Sequence, residues 1–104
     1  MANLYKGKHM KISNRNARNY VMDRKPFTAN NIFAEIKNNV YIVYSYGYHF
    51  PMFVNFDGTW YENADKYSVT TSKHKNQARP LAADTVITNT ETLKNIINNL
   101  LKSV

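Results

Sequence analysis

The chain has 104 residues, 43% hydrophobic and 13% aromatic, enough for one domain with its own core and too short for two. Fourteen Lys and Arg against seven Asp and Glu leave a charge of +7 at pH 7, which attracts polyanions and repels basic partners. The lack of Cys excludes disulfide scaffolds, thiolate metal sites and Cys nucleophiles; with no long apolar run and no Sec-type leader, the expectation is a soluble cytoplasmic protein with no membrane partner.

Residues 1–25 hold half of the cations, Lys6, Lys8, Lys11, Arg15, Arg18, Arg24 and Lys25, with Asp23 the only acid. Periodicity is weak in "SNRNARN". This segment therefore reads as a basic arm outside the domain proper, either a short helix or a piece that orders on a partner, and the domain is placed at 26–104.

From Asn31 onward, β-type runs are separated by turn chemistry. Asn38-Asn39 and Asp57-Gly58 each tolerate the positive φ that a two-residue hairpin needs, and "GYH" at 47–49 offers Gly47 for a left-handed residue. Strands are expected at about 32–37, 40–46, 50–56 and 59–62, pairing Ile42 with Val54, Tyr44 with Met52, Tyr46 with Phe50 and Val54 with Tyr61. One face of this meander is then apolar, collecting Phe33, Val40, Ile42, Tyr44, Tyr46, Phe50, Met52, Val54, Phe56 and Tyr61. The other carries Ala34, Ile36, Tyr41, Val43, Ser45, Phe53, Asn55, Trp60 and Glu62, with Tyr41, Asn55 and Trp60 side by side across three strands. That row is either a platform on which bases stack while the amide reads an edge, or the floor of a second small core covered by the arm or by residues 63–80.

The stretch "KYSVTTSKHKNQARP" at 66–80 packs hydroxyls (Tyr67, Ser68, Thr70, Thr71, Ser72) beside the cations Lys66, Lys73, Lys75 and Arg79, with His74 among them and no carboxylate. Such groups bind phosphate. If Thr71 or Ser72 caps a short helix ending before Pro80, backbone N–H groups would join them; the alternative is a polar loop whose hydroxyls satisfy their own backbone. At the carboxyl end Leu93, Ile96, Ile97, Leu100, Leu101 and Val104 recur at helical spacing, and Thr88 with Glu91 has capping-box spacing. A helix over about 89–103 is therefore expected to cover the apolar face, giving an α+β fold: a four-stranded antiparallel meander under one helix.

His9, His49 and His74 and the scattered carboxylates make no metal spacing, so no metal and no cofactor are expected. The stretches "VYSYGYHFPMFV" (43–54) and "WYENADKYSVTTSKHKNQARP" (60–80) resemble small uncharacterised proteins of bacteriophages and other mobile elements. That resemblance implies an accessory role, in the bacterial host's cytoplasm, of binding nucleic acid, nucleotides or a host protein. Three functions follow in order: a non-enzymatic binder of RNA or single-stranded DNA; an inhibitor of a host protein or a nucleotide-sequestering protein; and a metal-free ribonuclease using His49 or His74 with Tyr67 and Arg79.

Overall fold

The computed structural model describes residues 10–66 and 69–102. Seven strands form one mixed sheet in sequential order: β1 (Met10–Lys11), β2 (Phe27–Thr28), β3 (Ile32–Lys37), β4 (Val40–Ser45), β5 (Pro51–Phe56), β6 (Thr59–Asn63) and β7 (Thr85–Thr88). The inner pairs from β2 to β6 are antiparallel, whereas β1 lies parallel to β2 and β7 parallel to β6. The expected meander is thus the centre of a larger sheet. Its tight turns form as the chemistry dictates: φ is +48° and +68° at Asn38 and Asn39, and +50° and +83° at Asp57 and Gly58.

The four-stranded fold is corrected at both edges. Strands of two residues, β1 and β2, carry too few side chains to show an alternation. β7 reads TVIT with Val86 and Ile87 both exposed, so it too lacks an inside-outside pattern.

A second correction falls inside the meander. Ile42 pairs with Val54 and Val54 with Tyr61 as expected, but the register slips after Val43, and Tyr44 faces Pro51 instead of Met52. One extra residue on β5 makes a bulge there, and because side chains alternate, a one-residue slip sends Met52 and Phe50 to the opposite face. Pro51, with no N–H to give the ladder, suits the first position of a strand beside such a bulge. The loop also turns differently: Tyr46, at φ +67°, takes the left-handed conformation assigned to Gly47 and is exposed, not part of the apolar face.

Each parallel pair needs a crossover, and each crossover is helical. Between β1 and β2 run a single 3-10 turn (Asn14–Asn16) and α1 (Ala17–Met22); between β6 and β7 runs α2 (Val69–Ala78). Four antiparallel steps separate β2 from β6, so the two strands point the same way. Right-handed crossovers at both ends then put both helices on one face, and α1 indeed packs on α2. Beneath them lies a core of Ala17, Val21, Phe27, Ile32, Ala34, Tyr41, Val43, Phe50, Met52, Phe53, Trp60 and Ala78. The amino-terminal segment is therefore no detached arm: Ala17 and Val21 are wholly buried in it, and no boundary after residue 25 exists among the described residues.

The other face is covered by α3 (Thr90–Lys102), whose Leu93 and Ile97 are buried on Val40, Ile42, Tyr44 and Val54, with Leu100 and Leu101 at the margin. Val104 lies outside the described residues. The cap is Asn89 and not Thr88: the Asn89 side-chain oxygen accepts from the Thr92 N–H at 2.8 Å, while Thr88 is spent in β7.

Candidate nucleic-acid interface

The row Tyr41, Asn55, Trp60 exists in the expected register, and β3 and β7 extend it to Ile36 and Thr85. It is the floor of the helix-covered core: Tyr41, Asn55 and Trp60 are 2%, 6% and 7% exposed. Trp60 meets Tyr41 edge-on at 6.2 Å, and the Tyr41 hydroxyl donates to the Lys25 carbonyl at 2.9 Å. Of the two outcomes open for this face, the helical layer over it is the one found, and no base can stack on these rings while that layer is in place.

The hydroxyl-rich segment is equally reorganised. α2 spans Val69–Ala78, so Thr71 and Ser72 lie within the helix. Thr71 is wholly buried, Thr70 and Lys73 are exposed and Ser72 is half-buried, while Tyr67 and Ser68 lie outside the described residues. His74 is buried, its Nδ1 2.8 Å from Ser45 Oγ on β4; burial, helped by the charge of Lys73, holds its pKa below the ordinary 6.5. His49 is exposed on the β4–β5 loop, and Tyr67, the remaining partner of the ribonuclease reading with Arg79, lies outside the described residues.

Of the cations, Lys75 is buried and donates through Nζ to the Asp65 carbonyl at 2.7 Å, and burial lowers its pKa. Arg79 grips Glu62 with two N–H groups, Nη2 to Oε2 at 2.9 Å and Nε to Oε1 at 3.3 Å. Even so, Lys66, Ser72, Lys75 and Arg79, all expected at the site, line a single depression of about 280 Å³ with Glu62 and Asn76.

Sequence reasoning missed Arg18 as a structural link. Its guanidinium donates to the Arg79 carbonyl at 2.8 Å and the Asn76 carbonyl at 2.7 Å, placing a positive charge on the carbonyl end of α2, where the helix dipole is negative. The 3-10 turn bearing exposed Arg15 packs on α2 as well. Two basic segments, linked through residues 58 apart in sequence, thus form one layer. Tyr46 also went unassigned to the site; 44% exposed, its ring lies 5.4 Å from that of His74.

Residues 15–95, most of the chain, match a family of unknown function, DUF8033. The chain belongs to this family. The DUF8033 match starts within the 3-10 turn and ends inside α3, so α1, α2 and strands β2 to β7 all fall in it, and β1 does not. Comparison with curated proteins and with solved structures returns no match. Among the described residues, no helix is long and apolar enough to cross a membrane, and no cluster of His, Asp and Glu is arranged to hold a metal.

Proposed function

We propose that this DUF8033 protein is a non-enzymatic accessory protein of a phage or mobile element that binds RNA or single-stranded DNA in the cytoplasm of its bacterial host. The observation that carries the reading is the joining of two basic segments into one helical layer, with Arg15, Lys66 and Lys73 exposed on it and Lys75 and Arg79 lining the depression beside them. Phosphates meet the exposed cations. Tyr46, 44% exposed and with its ring 5.4 Å from that of His74 on α2, takes the stacking role first given to Trp60.

The test is a salt series with short oligonucleotides. Replacing Arg15, Lys66 and Lys73 by Gln weakens binding and flattens the slope of log affinity against log salt by about 0.7 per lost contact on a single strand. Tyr46→Ala lowers affinity by about 1–3 kcal/mol with the slope unchanged, because stacking releases no counterions. Wild-type protein that binds no oligonucleotide at moderate salt, or a triple variant with an unchanged slope, defeats the reading.

A second reading, a host-protein inhibitor, is favoured by one observation. Edge strand β7 presents Val86 and Ile87 at 46% and 59% exposure, with Leu81 at 68% just before it, and no charge within the strand to discourage pairing with another chain.

A further inference from the structure

At the hairpin end of the sheet, where α1 terminates, a pocket of about 400 Å³ is lined by Asp23, Arg24, Ile36, Tyr41, Asn55 and Asp57 among others. Asn55 is the unusual member. It stands in central strand β5, is 6% exposed, and its amide has no hydrogen-bond partner among the described residues, yet it touches the pocket. Asn63, the other buried Asn, shows what a structural role looks like: its amide donates to the Pro51 carbonyl and to Thr90 Oγ1, and its oxygen accepts from the Asp65 N–H. Asn is disfavoured in strands, and since no buried side-chain N or O among the described residues lacks a partner, this amide is open to solvent in the pocket, where a ligand can reach it.

The surroundings define what would complete it. Tyr41 has its hydroxyl committed to the Lys25 carbonyl and forms a wall; Ile36, half exposed and its register neighbour, adds apolar surface. Two carboxylates, Asp23 and Asp57, outweigh the single guanidinium of Arg24, so a phosphate is unwelcome while groups that donate hydrogen bonds are favoured. A flat, uncharged ligand with adjacent donor and acceptor fits these demands, since an Asn amide pairs in two-point fashion with a base edge such as adenine N6 and N7, and carboxylates accept from exocyclic amino groups.

We infer that this pocket is a nucleobase site, in which Asn55 reads the edge of a single unstacked, amino-bearing base. The inference rests on the proposed nucleic-acid function: the helical layer holds the phosphates, and α1 leads from that layer to the pocket.

Nucleosides, which carry no phosphate, separate the two claims. Trp60, the only tryptophan and the cross-strand neighbour of Asn55, reports occupancy through its emission, and the Asn55 side-chain amide reports it by NMR. Adenosine binds saturably and independently of salt, and uridine, with no exocyclic amino group, binds more weakly. Asn55→Leu, close in shape, keeps the fold and weakens adenosine by about tenfold or more. Asp57→Asn, on an exposed turn that Asn also suits, keeps the fold and narrows the preference for adenosine over uridine. A wild type that answers to no nucleoside, or variants that bind adenosine as the wild type does, overturn the site. Oligonucleotide binding without any nucleoside response overturns the pocket and leaves the helical layer standing; nucleoside binding without oligonucleotide binding does the reverse.

Discussion

His74 looks in sequence like one more polar group of an anion-seeking loop, and in the fold it is a neutral imidazole pinned between α2 and the sheet by Ser45. Its pKa is lowered by burial, so between that value and the ordinary 6.5 the unfolded chain binds a proton that the folded chain does not. Stability therefore rises with pH through this window: it is whole above 6.5 and is lost as pH falls toward the folded value. Urea unfolding at neutral pH and at about pH 5 checks this, and His74→Gln should reduce the difference between the two. Lys73 and Lys75 divide in the same way, neighbours in sequence but not in role. Only Lys73 is exposed, since helical geometry turns Lys75 inward onto the Asp65 carbonyl.

At the scale of elements, α3 was legible because its apolar stripe repeats over more than three turns, while its first residue was not. Both Thr88 and Asn89 are sound caps by chemistry. What decides between them is that Thr88 already pairs with Asn63 across the β6–β7 ladder. Asn89→Ala should accordingly cost about 0.5–2 kcal/mol, the usual loss of a side-chain cap, and Thr88→Ala should cost less; thermal unfolding of the two variants compares them. The bulge at Met52 is the opposite case. Hairpin turns set the register near Asp57 and Gly58, but nothing in the alternation of "HFPMFV" announces an extra residue, so Phe50 and Met52 were assigned to the wrong face.

For the whole molecule, the helical layer couples the ends of the sheet. Ala17 and Val21 fill the same core as Trp60 and Ala78, and Arg18 holds the last carbonyls of α2. Deleting residues 1–25 should therefore abolish cooperative unfolding, where a detached arm would leave the melting curve in place; circular dichroism and limited proteolysis decide it. The deletion cannot serve as a binding variant, which is why exposed Arg15, Lys66 and Lys73 carry the functional test.

The sequence by itself determined the class of structure, the two type I′ hairpins, the central strands, the α3 stripe and the row Tyr41, Asn55, Trp60, because each depends on local φ preferences or on a short period of alternation. It also determined the basic charge of +7. Tertiary structure decided the outer strands, the face on which Met52 lies, and above all which polar groups remain open to a ligand. Those outcomes turn on crossover handedness and on contacts between residues some sixty positions apart, such as Arg18 with Arg79, separated by 61. No local pattern encodes such pairings, so cations and aromatics that look equivalent along the chain were divided between the surface and the interior only when α1 and α2 closed over the sheet.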